Sequence, residues 1–186
     1  MIYDDRHKVK EIFGKKIHIF DDVFEFAERT RFYQFITNSR FTIGEYDGVL
    51  LENHKTSTLT SKYSEGDVRA MGFYLPKRIT DVVDLSDWKP VTAYTNLCRP
   101  DDSFHIHTDH HGPMWTVLYY VNTNWHIEWG GDTYFLKEDD LTIEYVSQFR
   151  PGRVVIFDGS IPHLMRPSTR LAPENRFSFV MKYIPK

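Results

Sequence analysis

The sequence predicts a mainly β domain, a barrel or sandwich with helical material ahead of it, and three observations carry that expectation. Aromatic residues make up 16% of the chain, a bias toward strands, because rings pack well on a pleated surface. From Val91 to Tyr183, runs of roughly four to eight apolar or alternating residues recur with Gly, Pro, Asn and Asp between them, the pattern of an all-β sandwich or barrel. Ahead of those runs, Asp21–Arg40 carries apolar residues at helical spacing. The 186 residues divided by about 150 per domain give a single domain, long enough to bury a core without disulfides. Residues 1–90 are expected to be N-terminal helical support with a possible lid, and residues 91–186 the β-barrel core.

In order along the chain, Asp21 or Asp22 can cap a helix whose apolar side is Val23, Phe24, Phe26, Ala27, Phe35 and Ile36. Residues 41–70 hold Gly44, Gly48, Gly66 and many Thr and Ser, which suggests loops or a loose hairpin, and Arg78–Leu85 a short helical or connecting piece. Val91–Cys98 (VTAYTNLC) reads as a strand closed by the turn Arg99-Pro100-Asp101-Asp102. Phe104–Asp109 alternates, and His111-Gly112-Pro113 breaks the chain. Trp115–Val121 (WTVLYYV) is a dense β-run ending in an Asn122–Asn124 turn. Gly130-Gly131 leads into Asp132–Leu136, Val154–Phe157 is a short strand of the buried type, and Arg176–Tyr183 (RFSFVMKY) alternates again.

Composition excludes several functions. No stretch approaches the roughly 18 apolar residues of a membrane span, and Met1–Lys16 is charged throughout, without a secretory apolar core. The single cysteine, Cys98, excludes a disulfide framework and Cys-built zinc or iron–sulfur sites. That usage predicts a reducing compartment, the cytoplasm. A net charge of −3 and a pI near 6.3 argue against sequence-independent nucleic-acid binding and point toward a peptide, protein or small-molecule substrate.

Histidine is the outlier, with His105, His107, His110 and His111 inside seven positions. His107-Thr108-Asp109 is an H-x-D triplet, and on a strand residues i and i+2 share a face, so both side chains can reach one ion. Alone the triplet is weak, since roughly one is expected by chance in such a chain. The downstream context strengthens it. His163 follows Asp109 by 54 residues, after a strand, a Gly-containing turn and Pro162, which sets an imidazole at a barrel mouth. Arg176 opens the last strand 13 residues later. Two histidines and one carboxylate form a facial triad that suits Fe(II) and leaves positions open. An arginine nearby can clamp a carboxylate through two charge-assisted hydrogen bonds.

These residues, with Thr116–Asn122 (TVLYYVN), Trp125, Gly130-Gly131, Pro151–Asp158, His163-Leu164-Met165-Arg166-Pro167 and Arg176-Phe177-Ser178, carry a resemblance. The region Val91–Tyr183, about half the chain, resembles the 2-oxoglutarate- and Fe(II)-dependent oxygenases, in particular their prolyl 4-hydroxylase-like branch. The resemblance implies a double-stranded β-helix (jelly-roll) barrel. It implies iron binding by His107, Asp109 and His163, and pairing of Arg176 with the distal carboxylate of 2-oxoglutarate, with Arg170 a rival for that clamp. It also implies a hydrogen bond from Tyr120 to the same end, a contact of Tyr94 with cosubstrate or substrate near the metal, and a pocket aromatic at Phe104. The implied reaction is hydroxylation of a C–H bond, often of a prolyl residue in a peptide or protein, with O2 as cosubstrate, succinate and CO2 as co-products and ascorbate as a candidate accessory reductant. The carboxylate ligand Asp109 points to hydroxylation rather than halogenation.

The other candidates have plainer readings. His105 shares a face with the triad and either packs or touches substrate. His110 and His111 fall in the following loop, Trp115 and Trp129 in the core or rim, and Cys98 in the core as a small apolar residue. Gly44–Gly66 is either a lid or an exposed hairpin. The rival to an oxygenase is a cupin-like metal-binding barrel built on the His105-Ile106-His107 pair, in which Asp109 is dispensable and 2-oxoglutarate does not bind. A catalytically idle barrel is the third reading.

Overall fold

The computed structural model describes residues 6–43, 58–100, 102, 104–109 and 112–186. Among them run β1 (His7–Ile12), β2 (Lys15–Phe20), α1 (Phe26–Thr37), β3 (Thr42–Ile43), β4 (Leu59–Tyr63), α2 (Glu65–Met71), α3 (Lys77–Thr80), β5 (Trp88–Cys98), β6 (Trp115–Tyr120), β7 (Thr133–Leu136), β8 (Ile143–Ser147), β9 (Val154–Asp158), β10 (His163–Met165) and β11 (Arg176–Pro185). The strands form an eight-stranded sheet, in the order β1-β2-β9-β6-β11-β5-β4-β3, and a three-stranded sheet, β10-β7-β8. Every pairing is antiparallel. This is the mainly β jelly roll that the sequence predicts. No helix among the described residues is long and apolar enough to cross a membrane.

The dense apolar runs have a physical reason. Successive strand residues point to opposite faces, and the large sheet is buried on both. Val117, Tyr119, Val154, Ile156, Phe177, Phe179 and Met181 face one way, into a core completed by Phe32 and Ile36 of α1, Met71 of α2 and Ile79 of α3. Leu118, Tyr120, Val155, Phe157 and Val180 face the other way, with Ile17 and Ile19 of β2 and, from the small sheet, Phe135. The second face is the barrel interior, and the site lies on it. Each fully buried large side chain contributes about 1.5–3 kcal/mol.

The N-terminal half differs from expectation. The chain opens with a β-hairpin ahead of α1: Phe13 (φ 50°) and Gly14 (φ 75°) make a two-residue turn with both residues left-handed, which matches the twist of the flanking strands. β2 continues the large sheet by pairing with β9. The helix expected over Asp21–Arg40 spans Phe26–Thr37, and the Glu28 carboxylate accepts the Glu25 backbone N–H at 2.9 Å in its first turn. Asp22 has φ 54° and Asp21 binds Arg153, so neither caps it. The loose hairpin over 41–70 is the β3–β4 pair followed by α2, capped by Ser64. Of the candidate lid, residues 44–57 lie outside the described residues. Leu59–Tyr63 is a strand paired with β5 and Gly66 is in α2.

Candidate metal centre

Phe104–Asp109, expected as a strand, makes one isolated bridge, His107 with His163. That bridge builds the site. His107 N–H donates to His163 O at 3.0 Å, His163 N–H donates to His107 O at 2.9 Å, and Asp109 N–H donates to Gly159 O at 2.8 Å. The two histidine rings come within 4.4 Å between centroids. Asp109 Oδ1 is 4.0 Å from His107 Nε2, and Oδ2 is 3.8 Å from His163 Nε2. One ligand atom from each of the three residues lies within 4.8 Å of the others, so the group could hold a metal ion.

Protonation states suit that use. His107 Nδ1 lies 3.0 Å from His105 O, and His163 Nδ1 lies 2.9 Å from Ile161 O. A carbonyl only accepts, so each Nδ1 carries a hydrogen and each Nε2 is the ring nitrogen turned toward the centre. Burial, aided by His107, lowers the His163 pKa to about 4, so the ring is neutral at physiological pH. Burial opposes the charge on Asp109, whose side chain is 3% exposed. His163, Lys182 and Thr116 outweigh that penalty and lower its pKa to about 2. Thr116 Oγ1 donates to Asp109 Oδ2, and Lys182 Nζ lies 2.9 Å from Oδ1.

Beyond the three ligand candidates the barrel opens into a cleft of about 50 Å³ lined by Tyr94, Asn96, Leu118, Thr133, Met165, Arg176, Ser178 and Val180, among others. Arg176 is completely buried. Its Nε donates to Gly131 O at 2.6 Å, and its Nη1 meets Ser178 Oγ at 3.0 Å and the Met165 sulfur. The guanidinium lies 4.7 Å from the Phe149 ring centre and 5.4 Å from that of Tyr120, two rings that stack on each other 4.5 Å apart. Among the described residues no carboxylate forms an ion pair with it. A buried guanidinium in a cleft with no carboxylate in contact is a costly arrangement that an anionic ligand relieves.

The remaining sequence-predicted residues divide. Tyr94 lines the cleft beneath the Lys182 ammonium, 5.5 Å from its ring centre. Tyr120 stands behind Arg176, its hydroxyl 3.0 Å from Thr133 Oγ1 and 3.1 Å from Ser147 Oγ, and it is not among the cleft-lining residues. Phe104 and His105 are half-buried and outside the lining; His105 contributes its backbone carbonyl. Arg170 is exposed on the loop before β11. Trp115 packs on Trp88, and Trp129 on Trp125. Cys98 is buried, which pushes its thiol pKa up. His110 and His111 lie outside the described residues. Thr116 and Lys182 were missed. Their signal was parity: Lys182 is six residues after Arg176 on one strand, hence on the same face, and it pairs with Thr116.

Residues 91–183 match the family model of the 2OG-Fe(II) oxygenase superfamily. The fold is similar to that of a prolyl-4-hydroxylase from Pseudomonas putida (TM-score 0.62, 16% identity, over 91% of this chain and 92% of that one). It is also similar to a Trichoplax adhaerens prolyl hydroxylase in complex with a hypoxia inducible factor peptide fragment (TM-score 0.63, 17% identity, 91% and 83%). HygX from Streptomyces hygroscopicus, solved with nickel and 2-oxoglutarate bound, is a third relative in fold (TM-score 0.64, 13% identity, 91% and 83%). No curated protein matches the sequence.

Proposed function

Because the chain belongs to the 2OG-Fe(II) oxygenase superfamily, we propose that it hydroxylates a prolyl residue of a peptide or protein, with His107, Asp109 and His163 as iron ligands and Arg176 as the 2-oxoglutarate clamp. The carrying observation is the buried Arg176, whose charge has no carboxylate partner among the described residues and which faces the same cleft as the His-Asp-His group. A cupin-like barrel that does not bind 2-oxoglutarate has no use for such an arginine.

The side chains fit the cofactors of the family, Fe(II) and 2-oxoglutarate. Two imidazole nitrogens and one carboxylate suit a divalent metal and leave coordination positions free. When bound, iron and 2-oxoglutarate supply the oxidising chemistry that consumes O2 and yields succinate, CO2 and a hydroxylated product. The protein's part is to hold and shield. Carbonyls of His105 and Ile161 fix the two imidazoles, and Thr116 fixes the carboxylate. Arg176 and Ser178 offer donors for a distal carboxylate, each bond to a charged group contributing about 1.5–3 kcal/mol. Leu118, Phe157 and Val180 keep water from the cleft wall. Tyr94 faces the cosubstrate or substrate, and Tyr120 supports the clamp by stacking on Arg176. The prolyl assignment rests on the branch resemblance and on the two prolyl hydroxylases of similar fold.

The test is to add Fe(II) and then 2-oxoglutarate anaerobically and to follow the visible charge-transfer band. The band is expected in the wild type, absent in His163→Ala, and shifted to higher 2-oxoglutarate in Arg176→Ala. Iron bound without a band would overturn the oxygenase reading. Prolyl peptides are then expected to raise oxygen-dependent succinate release above background. Stimulation by other compounds alone would overturn the prolyl assignment and leave the rest standing.

A further inference from the structure

We infer that Lys182 selects the substrate, and that the substrate carries a carboxylate or other anionic group close to the carbon that is oxidised. The inference rests on the oxygenase reading above and deepens it: in a prolyl substrate the anionic group is a C-terminal carboxylate or an acidic side chain next to the proline. Arg176, Ser178 and Val180 alternate along β11 and line the cleft, and Lys182 continues the row on the same face. Arg176 is fully buried whereas the Lys182 side chain is 19% exposed, so the row runs outward past the cleft lining to Lys182, which stands beside Asp109. A bulge holds it there: β5 carries the extra residue Val91 where Lys182 pairs with Thr92 and Tyr183 with Pro90. Bulges re-aim side chains and are frequent beside active sites. The ammonium is 2.9 Å from Asp109 Oδ1 and 5.5 Å from the Tyr94 ring centre.

Charge counting gives this lysine its role. In the loaded site a divalent cation is balanced by Asp109 and the carboxylate at the keto end of 2-oxoglutarate, and Arg176 is balanced by the distal carboxylate. One positive charge is left over, that of Lys182, whose partner Asp109 is then shared with the metal. Among the described residues no other carboxylate forms an ion pair with it. A largely buried ammonium without a counter-ion is costly, and the aromatic face of Tyr94 offsets only part of that cost. An anionic group on the substrate supplies the missing charge and sets the substrate's orientation.

The test uses acetate and acetamide as matched probes. The full chain is loaded with Mn(II) and 2-oxoglutarate without oxygen, and paramagnetic broadening of each probe's methyl proton signal is titrated. Acetate is expected to bind about tenfold more tightly than acetamide, the size of one hydrogen bond to a charged group. The preference should persist in Lys182→Arg and vanish in Lys182→Gln. Equal broadening by the two probes would overturn the proposal, and this outcome needs no variant to fold. The same acetate preference in Lys182→Gln would put acetate on the metal and overturn it as well. The Fe(II)–2-oxoglutarate band, recorded on the same proteins, separates the two readings: its absence from the wild type defeats the oxygenase assignment, whereas a normal band without acetate preference defeats the role of Lys182 alone.

Discussion

The carbonyl of Gly131 accepts the Nε–H of Arg176 at 2.6 Å, and a Cβ at residue 131 would lie 2.9 Å from Arg176 Cδ. Residue 131 also sits at φ +86°, where a side chain is strained by about 1–3 kcal/mol. Gly131 is thus the mould of the guanidinium. Gly131→Ala should displace Arg176 and weaken 2-oxoglutarate binding about tenfold or more, since about 1.4 kcal/mol is a factor of ten. Iron affinity should stay near the wild-type value. Titrations of the charge-transfer band with 2-oxoglutarate and of the apoprotein with Fe(II) check the two halves.

Arg176 should separate stability from binding. Its charge is buried without a carboxylate partner among the described residues, and burial lowers its pKa. Replacing a buried charge by an apolar side chain of similar length is often neutral or stabilising. Arg176→Met should therefore keep or raise the melting temperature without 2-oxoglutarate while losing at least about tenfold in 2-oxoglutarate affinity. Thermal unfolding with and without 2-oxoglutarate reads both, and a large fall in melting temperature would show that the arginine is structural.

Thr116 offers a cleaner handle on the metal than the ligands do. Its hydroxyl donates to Asp109 Oδ2, and its backbone lies in the register of β6 with β9 and β11, so Thr116→Val keeps strand and shape. Outer-shell partners of metal ligands are worth about 10–100-fold in affinity or activity. Fe(II) or Mn(II) affinity should fall within that range, with 2-oxoglutarate affinity for the metal-loaded protein little changed. An isothermal metal titration of wild type and variant measures it.

The C-terminal half was legible because its strands are buried on both faces and read as near-continuous apolar runs: WTVLYYV and VVIF admit few alternatives. The candidate site was legible because His107, Asp109 and His163, which come close enough that they could hold a metal ion, are the residue types a divalent metal calls for. Their scaffold was not: Phe104–Asp109 makes one bridge rather than a strand, because the register that matters is set by His163, across the barrel and invisible to local pattern. β1 (HKVKEI) and β2 (KKIHIF) were hidden by their lysines, histidines and glutamate, although Phe13-Gly14 between them was a hairpin signal. Lys182 was hidden by chemistry, since a lysine in a strand reads as a solvated cation until Asp109 is found 2.9 Å from it. Asp21 was misread for the complementary reason: an aspartate before an apolar helical period resembles a cap until its partner, 132 residues away, is seen.

That partner makes the last prediction. Arg153 donates to both carboxylate oxygens of Asp21 at 2.7 Å, and Arg150 lies 3.4 Å away. The pair ties the end of the β1–β2 hairpin to the start of β9, where the large sheet is joined. Burial works against the charge on Asp21, but the hydrogen bonds and charge of Arg153 prevail and its pKa lies below the ordinary value of 3.8. A carboxylate depressed in the folded state contributes stability that is full above its unfolded pKa of about 3.9 and is lost as pH falls through the lower, folded value. Asp21→Asn should therefore cost about 1.5–3 kcal/mol at pH 6–8, with that deficit constant across the range. Below about pH 4 the deficit should shrink, as the wild-type carboxyl also becomes protonated. Urea unfolding of both proteins between pH 3 and 8 tests this. A deficit that persisted undiminished at pH 3 would mean that Asp21 acts through shape rather than charge.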